Sequence, residues 1–276
     1  MNKKGWGKKI AVAPYTVWMA LFVVVPIVLV VYYAFTDQSG ALSIQNIRSI
    51  LDYRETFFIS IQLALLSTVI CLLMAYPVAF SISRMKAYRQ QTMVMLVMLP
   101  MWMNFLIRTY AWMTILEGNG LINRFLHLLG FEGFNMINTN GAVVLGMVYN
   151  FLPYMLLPIY TVLTKIDKST VEAAQDLGAN RVSVFRRIYL PLSVPGVISG
   201  ITMVFVPAVS TFVISKLLGG GKKFLIGDII ENYFLGSTGS INYNIGAALS
   251  LVLMLLILVS MTVMNHFDKD ESAGFM

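Results

Sequence analysis

The chain has 276 residues, of which 58% are hydrophobic and only 12% are charged, and its formal net charge is +7 at pH 7. Ordinary soluble domains carry roughly 25% charged residues, so this composition, with a mean hydropathy of +0.75, excludes a soluble protein and indicates an integral membrane protein. We attribute the positive charge to membrane topology and anionic lipid, and not to nucleic acid. The single cysteine, Cys71, and the distant histidines, His127 and His266, predict neither an intrachain disulfide nor a metal site.

Six apolar segments are long enough to cross a bilayer, because a span needs about 20 apolar residues to cover roughly 30 Å of hydrocarbon. The first follows Lys8 and Lys9 and is too long for the apolar part of a signal peptide, so we predict that it is retained. The predicted spans are 10–35, 57–83, 92–116, 142–164, 194–215 and 246–265, in a single transmembrane domain covering 1–276. The sequence therefore predicts an all-α membrane protein with both termini on one side.

The basic residues predict which side is cytoplasmic. With a cytoplasmic N-terminus, the inner segments hold thirteen of them: Lys3, Lys4, Lys8, Lys9, Arg84, Lys86, Arg89, Lys165, Lys168, Arg181, Arg186, Arg187 and Lys269. The outer segments hold six: Arg48, Arg54, Arg124, Lys216, Lys222 and Lys223. The positive-inside rule favours this orientation, which places the polar loop 165–193 in the cytoplasm.

Two outer segments have apolar residues at helical spacing. Gly120–Gly130 is predicted to form a short helix at the outer interface. Phe224–Leu235 is predicted to form either a second such helix or a partly re-entrant one, and Gly219–Gly221 is predicted to form the turn before it.

The polar loop Ser169–Pro191 carries signals for two short helices. Ser169 stands three residues before Glu172, the spacing of a capping box, so a helix is expected to begin at Thr170. Gly178 is the residue type that ends a helix in the left-handed conformation. The same pattern is compatible with a capped surface loop that has no further role.

A second short helix is expected after Asn180, whose side chain can cap it. Arg186 and Arg187 lie near its predicted end, where the helix dipole favours cations. Pro191 and Pro195 are predicted to mark the exit from this helix.

The loop also matches a known motif. It resembles the cytoplasmic EAA motif of ABC importer permeases, E-A-A-x3-G-x9-I-x-L-P, at all defined positions: Glu172, Ala173, Ala174, Gly178, Ile188, Leu190 and Pro191. In that family the loop forms coupling helices that lie in a groove on the ATP-binding subunit. Small alanine side chains permit close approach, and glycine permits a sharp bend.

The resemblance extends over nearly the whole chain. Leu99–Trp102 leading to Leu106–Tyr110, Tyr149-x3-Pro153, and Leu218–Gly220 leading to Leu225–Gly227 are similar to the B-type permeases of spermidine/putrescine ABC importers. This implies a type I importer permease fold in the cell membrane and a heterodimer with a second permease. It also implies two copies of an ATPase that binds ATP and Mg, an extracellular substrate-binding protein, and no cofactor on this chain. The sequence has no P-loop G-x4-G-K-[ST], so ATP hydrolysis is expected on the partner.

Polar and aromatic residues in or beside the spans are candidates for a solute path: Trp102, Asn104, Arg108, Tyr110, Trp112, Tyr149, Tyr154, Asp228 and Glu231. Arg108 either faces a water-filled cavity or reaches the outer headgroups. The aromatic residues either line a path or pack at helix contacts and interfaces. Asp228 and Glu231 share a helix face, which is either a solvated surface or a site that attracts a cation. Lys222 and Lys223 make the charge there mixed.

Three alternatives stay open beside a polyamine permease. They are a permease for another small solute, a passive channel and an intramembrane enzyme. The spans contain no H-E-x-x-H motif and no pair of carboxylates that would support an enzyme, and we predict no catalytic residues.

Overall fold

The computed structural model describes residues 4–221, 225–236, 239 and 241–273, with side chains for those between 12 and 264 and for His266. The described helices are α1 Lys4–Met19, α2 Val25–Ala34, α3 Gln45–Arg48, α4 Arg54–Ser83, α5 Ala87–Met98, α6 Phe105–Leu116, α7 Leu121–Leu128, α8 Asn140–Leu163, α9 Lys168–Asp176, α10 Arg181–Val184, α11 Leu190–Ser210, α12 Val213–Leu218, α13 Ile226–Leu235 and α14 Tyr243–Ala273. One isolated antiparallel bridge joins Thr36 to Leu42. The predicted all-α class is confirmed.

Five helical runs of the described chain are long and apolar enough to cross a membrane: Val12–Ala34, Gln45–Ser83, Asn140–Leu163, Arg181–Ser210 and Tyr243–Met264. A sixth exists if Ala87–Trp102 and Phe105–Leu128 are counted as one span, although they are bent by 86° at the break between them. The expectation of one continuous helix over 92–116 is therefore wrong. The side chain of Asn104 accepts a hydrogen bond from Leu106 N at 2.8 Å, and so caps a new helix.

The first and fifth spans each contain a π-helical turn, Ala20–Val24 and Phe185–Tyr189. Leu190 N–H donates to Phe185 O, five residues earlier, directly before Pro191. The wider turn accommodates a proline, which has no N–H to donate. Helical structure therefore continues through Pro191, and the predicted exit there and at Pro195 is wrong. The fifth span runs from within the predicted loop to Ser210, not over 194–215.

The chain divides into two compact units, of which the first comprises Met1–Arg54 and Ile229–Leu256. Its buried cluster consists of Ala34, Ala247 and Ala248, with Val30, Ile50 and Leu251 packed against it. Small side chains allow α2 and α14 to approach closely.

The second unit comprises Glu55–Asp228 and Ile257–Met276 and is built on the packing of α8 against α11. A Cβ atom at Gly196 would lie 2.8 Å from Pro158 O and 3.1 Å from Ile159 Cα. The two helices can therefore lie this close only because position 196 has no side chain. Met155 and Ile159 are fully buried on the facing side of α8.

Both short helices predicted between the spans are present. Helix α7 occupies the middle of Gly120–Gly130, and α13 begins at Ile226. Gly220 and Gly221 have φ values of +62° and +65°, so they form the predicted turn. Phe224, together with Lys222 and Lys223, lies outside the described residues.

Candidate functional site

Helix α9 of the polar loop begins earlier than the sequence predicts. Its N-cap is Asp167, whose Oδ1 accepts a hydrogen bond from Ser169 N at 3.0 Å. Accepting the amide N–H and the hydroxyl of Ser169 lowers the pKa of Asp167. The predicted capping box of Ser169 and Glu172 is wrong, because a carboxylate at 167 is a stronger acceptor for the positive end of the helix.

The other end of α9 is closed as predicted. Gly178 has φ +83°, its N–H donates to Gln175 O at 2.9 Å, and Ala179 N donates to Ala174 O at 3.0 Å. These two bonds form a Schellman motif, which requires a left-handed residue at Gly178. A Cβ at this position would meet no atom within 4 Å, so the backbone conformation, and not space, demands glycine.

The cap of the next helix is also confirmed. Asn180 Oδ1 accepts a hydrogen bond from Ser183 N at 2.8 Å and starts α10. Because α10 continues through the π turn into α11, Arg186 and Arg187 lie inside a continuous helical run and not at its end.

An aromatic cluster attaches the loop to the end of α4. The Phe80 ring meets Phe185 at 5.3 Å and Tyr189 at 5.0 Å, both edge to face. The Arg84 guanidinium lies over the Phe80 and Tyr189 rings at 5.5 and 5.8 Å, a cation–π arrangement. The Tyr76 hydroxyl lies 2.9 Å from Ser193 Oγ. The loop therefore has a defined attachment to the transmembrane helices of its unit.

Helix α9 has a buried side and an exposed side. Val171 is buried, whereas Glu172, Ala173 and Gln175 are exposed and Leu177 is 90% exposed. Two cavities of about 310 and 330 Å³ lie against the loop, and both are lined by Arg84 and Val171. The exposed side offers small, acidic and apolar groups to another surface.

The remaining motif residues are distributed along the helical run. Ala174, Ile188 and Pro191 are half-buried, and Leu190 is 46% exposed. Of the EAA-motif residues on α9 and at its C-terminal end, the exposed ones are therefore Glu172, Ala173 and Gly178.

The candidate path residues of α6 differ strongly in burial. Trp102 is 74% exposed and Tyr110 49%, and Asn104 is occupied as the cap of α6. Arg108 is 8% exposed, and its Nε and Nη1 atoms have no hydrogen-bond partner among the described residues. The Arg108 side chain is thus buried within the described chain and does not lie on its outer surface. A buried guanidinium with unmet donors is expensive in a folded chain.

Helix α8 carries the second group of candidates. The Trp112 and Tyr149 rings contact edge to face at 5.3 Å, and Tyr154 is 41% exposed. Next to Tyr149, Asn150 is 2% exposed; its Nδ2 donates to Gly146 O at 2.9 Å and its Oδ1 accepts no hydrogen bond from the described chain. Trp112 and Tyr149 are thus brought together, whereas Trp102 and Tyr154 remain at the surface of the chain.

Asp228 is not on a solvated surface. It is 2% exposed, and its Oδ2 accepts hydrogen bonds from Ser215 Oγ at 2.6 Å and Leu225 N at 2.7 Å. Ser60 Oγ accepts from Ile226 N at 2.9 Å. The solvated-surface interpretation is wrong for Asp228, because these bonds hold its carboxylate at the start of α13. Glu231, one turn later, is half-buried.

The sequence matches the family of binding-protein-dependent transport system inner membrane components over residues 1–272, and the chain belongs to this family. It is a multi-pass inner membrane protein and a transport component, not an enzyme. It is 35% identical over 272 residues to the spermidine/putrescine transport system permease protein PotB of Haemophilus influenzae, covering 95% of this chain and 94% of that protein. The corresponding PotB of Escherichia coli strain K12 is 34% identical over 249 residues, which are 87% of this chain and 90% of that protein.

Solved structures show the same fold. A bacterial ABC transporter involved in import of the acidic polysaccharide alginate contains a chain with TM-score 0.78 and 20% identity, covering 97% of this chain and 96% of that chain. The MetNI methionine ABC transporter has a chain with TM-score 0.60 and 16% identity, covering 79% of this chain and 94% of that one. The predicted resemblance and the importer permease fold are confirmed.

Proposed function

We propose that this chain is the permease subunit through which an ATP-driven importer takes up polyamines of the spermidine and putrescine type. The relatives with 34–35% identity over most of the chain carry that substrate in their names. The substrate is a cation with an alkyl chain, which suits the aromatic rings of Trp112 and Tyr149 in the spans.

The observation that carries the coupling role is the two-sided helix α9. Its inner side is attached through Val171, and its outer side exposes Ala173 and an almost fully solvated Leu177. An exposed leucine beside a small residue is suited to a groove on a partner. The proposed partner at this surface is an ATPase subunit, present in two copies, which binds ATP and Mg.

The continuous run Arg181–Ser210 supports a mechanical link from this surface to the spans. A displacement of α9 reaches α10 across the short turn of residues 177–180, and α10, the π turn and α11 then follow one another without a break. Close packing at Gly196 then passes the displacement to α8, since tightly packed helices move together. The path residues of α6 and α8 influence gating or selectivity in this scheme.

The complete transporter also contains a second permease and an extracellular substrate-binding protein. Both termini are cytoplasmic, in accordance with the basic residues of the inner segments. The chain acts as a single permease domain over 1–276.

Uptake measured in vesicles tests the function. Proteoliposomes are prepared with both permeases, with and without the ATPase, and labelled spermidine is supplied with its binding protein. Uptake that requires the ATPase and ATP is expected. Uptake without ATPase would indicate a passive channel, and absence of polyamine uptake with ATP-dependent uptake of another solute would reassign the substrate.

A further inference from the structure

A cavity of about 430 Å³ lies beside the segment that joins α2 to α3. All its described lining residues belong to the unit of Met1–Arg54 and Ile229–Leu256. The lining combines the carboxylate of Asp37 with the rings of Tyr32, Tyr33 and Tyr243, and its described part contains no Lys or Arg. The volume falls in the range of small-ligand sites, about 300–1,000 Å³.

The wall of this cavity is fixed by a side chain from the far end of the sequence. Asn244 is 7% exposed, and its Nδ2 donates to Thr36 O at 2.6 Å, Tyr33 O at 3.2 Å and Asp37 O at 3.3 Å. Asn46 Nδ2 donates to Thr36 O as well, at 2.7 Å. These bonds hold the segment in place before any ligand arrives, which lowers the ordering cost of binding.

The Asp37 carboxylate is suited to a cation. Its Oδ1 accepts hydrogen bonds from the Ser39 hydroxyl at 2.6 Å, Ser39 N at 2.8 Å and Ala41 N at 3.0 Å. The Ser39 hydroxyl, followed by the backbone N–H groups, lowers the pKa of Asp37, so the carboxylate is ionised at neutral pH. All three of these hydrogen bonds go to Oδ1, so Oδ2 is the oxygen that we assign to a donor on a ligand.

The rings of the cavity supply the second element of a cation site. Tyr32 and Tyr33 lie edge to face at 5.6 Å and are 52% and 40% exposed, and Tyr243 is 49% exposed. The face of a tyrosine ring attracts an ammonium group, and its apolar surface accepts a methylene chain. Carboxylate and rings together select a cation attached to an alkyl chain over a simple metal ion.

We propose that this cavity binds the terminal alkylammonium group of a polyamine at the outer side of the membrane. The proposal rests on the polyamine uptake and on the orientation proposed above, in which α2 ends and α14 begins outside. The ammonium pairs with Asp37, and the methylene chain lies against the tyrosine rings. None of its described lining residues belongs to the polar loop, to α6 or to α8, and the site holds substrate before entry.

Binding of labelled spermidine to the nanodisc-reconstituted complex of both permeases and the ATPase tests the site, without ATP and without the substrate-binding protein. The variant is Asp37→Asn, which removes the charge but keeps an oxygen for the Ser39 and Ala41 N–H groups. The expected loss of affinity is about threefold to fivefold, the range of a partly exposed ion pair. The matched control is Asp52→Asn, an exposed carboxylate of the same unit that does not line the cavity; its affinity is expected to equal that of the wild type.

The outcomes separate this site from the function on which it rests. Unchanged spermidine affinity in Asp37→Asn, or an equal loss in Asp52→Asn, would overturn the site. If the wild-type complex still imports spermidine with its binding protein and ATP in that case, the proposed function stands without the site. If the wild type imports no polyamine at all, the proposed function fails and the site fails with it.

Discussion

Asp167 and Gly178 define the two ends of helix α9. Asp167 accepts a hydrogen bond from a backbone N–H of the first turn, and Gly178 adopts the left-handed backbone conformation that ends the helix. The folded-state pKa of Asp167 is lowered, so the helix gains from this cap at every pH above the ordinary pKa of the carboxyl. The gain is lost only as the pH falls through the lowered value. At neutral pH the cap is therefore fully present.

Substitution of the cap is expected to loosen the start of α9. In Asp167→Ala the Ser169 N–H loses its acceptor, so amides of the first turn should exchange hydrogen for deuterium faster than in the wild type. Ser169→Ala keeps the amide and should leave exchange much less affected. Faster exchange in Ser169→Ala than in Asp167→Ala would show that Ser169, and not Asp167, is the N-cap residue of α9.

Gly178→Val is expected to weaken coupling strongly while leaving the spans inserted. Valine at φ +83° costs on the order of 1–2 kcal/mol, and 1.4 kcal/mol corresponds to about a tenfold loss of ATPase association. The measurements are membrane abundance, co-purification of the ATPase and substrate-stimulated ATP turnover. Gly178→Asn is the matched control, because asparagine tolerates the left-handed region and no neighbour lies within 4 Å of a Cβ.

Normal transport and ATPase binding in Gly178→Val would rule out this loop as the coupling element. Low membrane abundance would instead show that the substitution impairs folding. Coupling would then be compared between the wild type and Gly178→Asn. Restored abundance and coupling with asparagine assigns the defect to the backbone at this position.

Local signals in the sequence identified some of these residues and not others. Gly178 and Asn180 were predictable because their roles depend only on the adjacent backbone. Asp167 was missed because two cap-type residues stand within one turn, and residue type alone does not decide between them. Burial of Asp228 depends on Ser215, thirteen residues earlier in the chain, and no spacing rule connects the two.

At the scale of elements, the predicted and observed helices differ where a proline lies inside a helix and where an apolar run contains a break. Pro26 and Pro191 each follow a π turn, where an N–H donates five residues back, and the helix continues. The sequence shows the prolines but not the turns that accommodate them. The apolar run 92–116, conversely, reads as one span although Asn104 starts a new helix within it. The length of an apolar run predicts that the segment lies in the membrane, but it does not exclude a bend within the segment.

The contact between α8 and α11 gives an element-scale prediction. Gly196→Ala places a methyl group 2.8 Å from Pro158 O, a backbone atom that cannot rotate aside, so the helices must separate. Overpacking of this kind costs about 1–3 kcal/mol, and both the melting temperature of the purified complex and uptake should fall. Gly141→Ala in the first turn of α8 is the control, because its Cβ would meet Thr139 Oγ1 at an ordinary 3.7 Å. An equal effect of the two substitutions would contradict a role for close packing at position 196.

At the scale of the whole molecule, composition was sufficient to predict a membrane protein and basic residues were sufficient to predict an orientation. Ala87–Trp102 and Phe105–Leu128 are bent by 86° relative to each other, and the orientation of all later segments depends on whether this pair crosses the membrane. If this pair crosses the membrane, the chain has six spans and loop 165–193 is on the same side as the N-terminus. If the pair turns back, the chain has five, and every segment after it changes side.

Reporters at chosen positions distinguish the two arrangements. A periplasmic reporter near Arg48 should be active in both, because only the first span precedes it. With six spans, a reporter near Gly130 should be outside, and fusions after Lys165 or Lys269 should be cytoplasmic, in accordance with the positive-inside rule. With five spans, the Gly130 reporter would be cytoplasmic and the fusions after Lys165 and Lys269 would be outside. An external Lys165 fusion would remove α9 from any ATPase in the cytoplasm, so this one site tests the crossing of the bent pair and the coupling role together.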